Sequence, residues 1–269
     1  MEHGMIQTGD LQLAYVDFGG NGPNVLALHG LYGRGALWAG PAAWLTAHFR
    51  VVALDQRGHG HSDKPDDAYS RDHYVNDAIA TIEQLRLGPV YLLGHSMGAL
   101  NAWVLAARRP DLVRGLVLED MTAATAKPGD GKWAGQWLNT WPVPFPTMAA
   151  VRAFFAALRP GLADHFMEVM AEGPDGYRPL FQREHMVQSA AGIDTKDWWE
   201  ELDQVQCPTL VVKGGKSEFR REDLQEMARR LRHGEYAEVA GAGHTVAFDQ
   251  PEGYRAVVEP FLLKLKGQA

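Results

Sequence analysis

Cysteine is almost missing: Cys207 is the single one in 269 residues. No disulfide can close within the chain, which excludes a small stapled scaffold. Cys207 sits between Val205-Gln206 and Pro208-Thr209-Leu210, where a strand is expected. It reads as a small buried thiol rather than a reactive one. Long apolar runs are missing too. Nothing approaches the ~18 residues of a membrane span. The start, Met1-Glu2-His3-Gly4-Met5, lacks the basic and apolar regions of a secretory signal, so a cytoplasmic location is expected. Positive charge is in deficit: 26 Lys and Arg stand against 33 Asp and Glu, a net of −7. A basic face for nucleic acid or an anionic membrane is therefore not expected. Repeats and low-complexity tracts are absent as well, which excludes collagen, coiled coils and disordered tails.

Short apolar runs are what the sequence has instead. Asn24 to Leu28, Val51 to Leu54, Val90 to Leu93, Gly115 to Leu118 and Thr209 to Val212 are nearly continuous. Runs of this kind mark strands of a parallel sheet covered on both faces. Leu11 to Phe18 alternates, as a half-buried strand does. Helices are expected between them at Tyr74 to Leu87, Ala99 to Arg109, Asp223 to Leu231 and Gly253 to Leu265. From Thr122 to Gln206 the rhythm breaks and no strand-like run appears. A loop composition at Lys127-Pro128-Gly129-Asp130-Gly131 leads to Trp133, Trp137 and Trp141, spaced as one helix face. Helical patterns return at Met148 to Leu158 and Leu162 to Met170. Residues 1–121 and 207–269 are thus expected to form an α/β core, and 122–206 an inserted helical lid. Five of the eight tryptophans fall in that insertion.

Gly94-His95-Ser96-Met97-Gly98 follows a buried strand and opens a helix. A sharp strand-to-helix turn would lift the Ser96 hydroxyl to an apex at a helix N-terminus, where negative charge is favoured. The glycines two before and two after let the backbone approach itself. Leu28-His29-Gly30-Leu31-Tyr32-Gly33 follows another strand. In this arrangement the backbone N–H groups of Leu31 and Met97 form an oxyanion hole. His29 is read as a brace for that loop. Gly241-Ala242-Gly243-His244 follows the strand-like Tyr236 to Val239, and His244 can reach back to Ser96 as general base and acid.

With Asp55-Gln56-Arg57-Gly58-His59-Gly60-His61-Ser62, these four segments resemble the α/β-hydrolase superfamily, in its order and along nearly the whole chain. The resemblance implies the α/β-hydrolase fold: a mostly parallel eight-stranded sheet, helices on both faces and an inserted helical cap. His29-Gly30-Leu31-Tyr32-Gly33 and Gly214-Gly215-Lys216-Ser217-Glu218-Phe219 are similar to compact carboxylesterases. Those esterases carry the triad acid after the strand at 115–118, which gives Asp120 here, with Ser217 as support near the histidine. Most other relatives carry it after the strand at 209–212, where Glu218 is the nearest carboxylate. Asp120 is preferred and Glu218 is the alternative. Glu119 should point to the opposite face. Serine at the elbow sets the chain apart from dehalogenase and epoxide hydrolase types, which use aspartate there.

The expected activity is cleavage of carboxylic esters with an apolar or aromatic group, through an acyl-enzyme and with no metal or organic cofactor. Lactonase, thioesterase, perhydrolase and carbon–carbon bond hydrolase share the triad. A ligand receptor with weak turnover is the alternative from another class. The partner is a small molecule, and the chain is expected as a monomer or homodimer. Tyr32, Arg34, Trp137, Trp141, Phe145 and Met186 are candidate pocket residues. No arginine pair aimed at a dicarboxylate is evident, and Arg34 is the candidate for an anionic group. The tryptophan stripe and Trp198-Trp199 read first as core and second as pocket wall. Asp55, His59 and Asp63 read as a hydrogen-bonded buttress rather than a metal site, and Arg220-Arg221-Glu222-Asp223 as a solvated helix start.

Overall fold

A computed structural model describes residues 1–124, 129–159 and 161–268. Lys127 and Pro128 of the expected loop lie outside the described residues. The strands are β1 (Glu2–Thr8), β2 (Leu11–Gly19), β3 (Asn24–Leu28), β4 (Arg50–Leu54), β5 (Val90–His95), β6 (Val113–Glu119), β7 (Met170–Gly173), β8 (Gly176–Pro179), β9 (Thr209–Gly214) and β10 (Gly234–Val239). The helices before β6 are α1 (Ala39–Leu45), α2 (Arg71–Gln84) and α3 (Met97–Arg108). Between β6 and β9 lie α4 (Lys132–Leu138), α5 (Met148–Leu158), α6 (Leu162–Met167), α7 (Arg183–Ile193) and α8 (Trp199–Asp203). Then follow α9 (Arg221–Arg230), α10 (Val246–Asp249) and α11 (Pro251–Lys266).

Eight strands form one sheet in the order β1-β2-β4-β3-β5-β6-β9-β10. β2 pairs antiparallel with β1 and β4, and every other neighbour is parallel. Alternate residues of each run feed opposite faces, as strand geometry requires. Leu26, Leu28, Leu92, Leu116 and Leu118 pack with Val75, Ile82 and Trp103 from α2 and α3. Val25, Ala27, Leu93, Val117 and Val212 pack with Leu45, Val246, Val258 and Leu262 from α1, α10 and α11. Every one of those strand side chains is fully buried, which is why the runs carry no polar alternation. A bidentate ion pair from Arg57 to Asp77, at 2.6 and 2.7 Å, ties the loop after β4 to α2 inside the protein.

The segment between β6 and β9 supplies most of a third apolar cluster, with Trp141, Phe145, Val151, Phe155, Phe166 and Met186 packed together with Tyr32 and Leu37 from the stretch after β3. The expectation of no strand there is corrected by the β7–β8 hairpin. Its strands, Met170-Ala171-Glu172-Gly173 and Gly176-Tyr177-Arg178-Pro179, are too short and mixed to form an apolar run. Backbone pairing of Tyr177 with Phe145 holds the hairpin to the segment. Trp198 and Leu202 bury in the sheet's core rather than in that third cluster. Cys207 is half-buried, and burial pushes its thiol up to about 11.

Candidate active site

The C-terminal ends of five parallel strands converge on one cleft, the usual place for a ligand in such a sheet. β5 ends at His95, α3 begins at Met97, and Ser96 alone makes the turn. Ser96 holds φ +52° and ψ −119°, a backbone conformation that a non-glycine residue rarely adopts. The turn survives because its surroundings fix it: the Ser96 N–H donates to the Glu119 carbonyl at 2.8 Å. Gly98 has no room for a side chain, since a Cβ there would stand 2.1 Å from the Leu28 carbonyl oxygen.

Ser96 Oγ lies 3.0 Å from His244 Nε2, and His244 Nδ1 lies 2.8 Å from Asp120 Oδ2. Asp120 follows β6 directly and sits at φ +48°. Its Oδ1 accepts the Gly214 N–H at 2.9 Å, and its Oδ2 also accepts the Ser217 hydroxyl at 2.5 Å. The supporting serine therefore meets the acid. Glu218 lines the cleft, and its charge acts on His244 through space. Glu119 points elsewhere: it is buried and accepts the Ala247 N–H at 3.0 Å. Burial, helped by the neighbouring Asp120 charge, pushes its carboxyl up to about 8. Burial alone would depress the His244 imidazole. The hydrogen bond and charge of Asp120 outweigh it, so the ring is held above its ordinary 6.5.

The Leu31 and Met97 N–H groups have no hydrogen-bond acceptor among the described residues. Met97 N–H opens α3, whose first turn leaves such donors free. The loop bearing Leu31 is fixed from below. The His29 ring accepts the Gln56 N–H at Nε2, 3.0 Å, and donates from Nδ1 to the Gly30 carbonyl, 2.8 Å. Burial drives its pKa down to about 4, so it stays neutral and serves as a brace. Asp55 takes the Gly35 and His61 N–H groups and Asp63 that of Gln12, while His59 Nδ1 bonds the Arg57 carbonyl. His95, which no sequence motif assigns a role, donates from Nε2 to the His244 carbonyl at 2.9 Å. The elbow and the histidine loop are thereby joined.

The cleft is open and measures about 980 Å³. Tyr32 and Trp137 line it, as expected. Trp141, Phe145 and Met186 do not: they are buried in an apolar cluster, and α4 ends at Leu138, so Trp141 stands beyond the helix and off the face that carries Trp133 and Trp137. Arg34 is corrected as well. It donates to the Glu168 carbonyl at 3.2 Å and borders a separate cavity with Asp55 and His61. The tryptophan stripe divides, since Trp133 lines the cleft and is 49% exposed while Trp141 is core. Arg220 and Asp223, read as a solvated helix start, also line the cleft. So do Leu158, Arg159, Leu162, His165, Phe166 and Phe219, none of which the sequence marked. Among the described residues no group of three or more His, Cys, Asp or Glu could hold a metal ion. No helix among them is long and apolar enough to cross a membrane.

A family model described as the alpha/beta hydrolase fold matches residues 23–251. The chain is 32% identical to 2-(acetamidomethylene)succinate hydrolase of Mesorhizobium japonicum, over 87% of this chain and 85% of that protein. It is 30% identical to 3-hydroxybutyrate-oligomer hydrolase of Cupriavidus necator, over 89% of each. The crystal structure of E-2-(acetamidomethylene)succinate hydrolase superposes with a TM-score of 0.88 at 29% identity, over 97% of this chain and 98% of the other. The thioesterase domain from the curacin biosynthetic pathway gives 0.81 at 25%, over 97% and 99%. The chain belongs to the α/β-hydrolase family and is a hydrolase.

Proposed function

We propose that this α/β hydrolase cleaves carboxylic esters through an acyl-enzyme formed on Ser96. The observation that carries the reading is the unbroken hydrogen-bonded chain Ser96–His244–Asp120, at 3.0 and 2.8 Å. His244 takes the Ser96 proton as the oxygen attacks the ester carbonyl. Asp120 fixes the ring so that Nε2 faces the serine, and steadies the imidazolium that forms. The Leu31 and Met97 N–H groups hold the developing oxyanion, each contributing about 10²–10³ in rate. His244 then protonates the leaving alcohol. Water, activated by the same ring, frees the acid and restores Ser96. The steps call for no metal or organic cofactor.

Leu158, Leu162, Phe166, Trp133, Trp137 and Phe219 in the cleft wall support an apolar or aromatic body in the substrate. An amide-type substrate is the second reading. It is favoured by the 32% identity to a hydrolase whose name gives an acetamido compound. The test is a panel of p-nitrophenyl esters, lactones, thioesters and N-acetyl compounds, run with the wild type and Ser96→Ala. Esters are expected to be cut, with a loss of about 10³-fold or more in the variant. Full ester turnover by Ser96→Ala would overturn the reading. Cleavage confined to N-acetyl compounds would select the second one.

A further inference from the structure

Arg159 follows α5 and stands in the cleft wall. Its guanidinium lies against both neighbours of His244. One nitrogen donates to Thr245 Oγ1 at 3.0 Å, and another lies where a side chain on Gly243 would have to be. A guanidinium carries five N–H donors in a planar fork. Here one of them has a neutral acceptor, and the buried Nε has none among the described residues. The nearest carboxylate, Asp249, is 3.8 Å away, beyond hydrogen-bond reach, and its Oδ2 already accepts the Gly243 N–H at 2.8 Å. Asp249 therefore orients the cation without occupying its fork.

The surroundings sharpen the contrast. Leu158 and Leu162 are apolar, and His165 is neutral, its pKa lowered to about 3, chiefly by burial. The other charged groups of the cleft come from elsewhere. Asp194 accepts the Trp133 indole N–H at 2.7 Å, while Glu218, Arg220 and Asp223 belong to the segment that leads from β9 into α9. A guanidinium in the cleft wall beside the histidine, with N–H donors on its terminal nitrogens left unpaired, is a group that takes a carboxylate.

We propose that Arg159 is a substrate-carboxylate subsite, so that this hydrolase acts on compounds bearing a free carboxylate close to the carbonyl that is cut. The inference rests on the reading of Ser96 and His244 as the hydrolytic pair. It names a substrate class that the apolar walls alone do not give: an apolar body with an anionic end. Arg159 here binds and orients, and takes no part in bond making.

The probes are monoethyl glutarate, which carries a free carboxylate, and diethyl glutarate, which does not. The wild type should favour the monoester in kcat/KM. In Arg159→Gln the monoester-to-diester ratio should fall by about 10- to 100-fold, the range for a hydrogen bond to a charged group, mainly through KM. Arg159→Lys should restore part of it, since charge returns without the fork. An unchanged ratio would overturn the subsite. Calorimetry with Ser96→Ala gives a reading independent of turnover and of any Arg159 variant. It should bind the monoester more tightly than the diester, and equal binding would overturn the proposal. If the wild type cuts neither ester while that binding preference is present, the subsite stands and the hydrolytic reading fails.

Discussion

At the scale of single residues, the proposed mechanism asks most of His244. It must be neutral to accept the serine proton, and Asp120 holds its pKa above the ordinary 6.5 against the effect of burial. The sign follows directly: below that raised pKa the ring is charged and cannot act as base, so kcat/KM should rise with pH on the acid side. Asp120→Asn removes the charge that opposes burial. The acid limb should move to lower pH, and kcat should fall by about 10⁴-fold. Glu218→Gln, which touches the ring only through space, should cost far less. A pH–rate profile of both variants decides between the two acids, and a larger loss in Glu218→Gln would reverse the assignment. The choice was open in the sequence because both carboxylates follow strands that end beside one another. The Gly214 and Ser217 bonds to Asp120, which separate them geometrically, join residues 94 and 97 positions apart. Arg159 was hidden for the same reason: its neighbours are Thr245 and Gly243, far along the chain.

At the scale of elements, the elbow between β5 and α3 is the tightest joint. A methyl on Gly98 would meet the Leu28 and His29 carbonyl oxygens at 2.1 and 2.7 Å, which is backbone and cannot swing aside. Gly98→Ala should push α3 away from β3 and shift the Met97 N–H out of line. Overpacking of this kind costs about 1–3 kcal/mol. Thermal unfolding should show the loss of stability, and turnover should fall beyond what the fraction unfolded explains. Unaltered activity would mean that the close approach does not set the oxyanion geometry. The elbow was legible because its requirements are local: a buried run, spaced glycines and a helix start within a few residues. The same logic served β3, β5 and β9, whose side chains are buried on both faces. It failed for β7 and β8, four-residue strands of mixed polarity that pair with each other across a tight turn and show no apolar run of their own.

At the scale of the whole molecule, the sheet supplies the proposed reacting groups, and the segment between β6 and β9 supplies much of the wall facing them. The sheet's groups come from the ends of β3, β5, β6 and β10, brought together by the parallel strand order. Such convergence is fixed by the fold, which is why Ser96, Asp120 and His244, expected from the resemblance, lie within hydrogen-bond reach of one another. The segment between β6 and β9 packs around Trp141, Phe155 and Met186 together with Tyr32 and Leu37, so which of its aromatics face the cleft is not legible in helix spacing. The central claim is that Ser96 is the nucleophile, and the most direct measurement is covalent. A serine-directed phosphonate should add one group to the chain, mapped by peptide mass spectrometry to the segment holding Ser96, with ester turnover lost in step. A label on any other residue, or full turnover with Ser96 modified, would contradict the account.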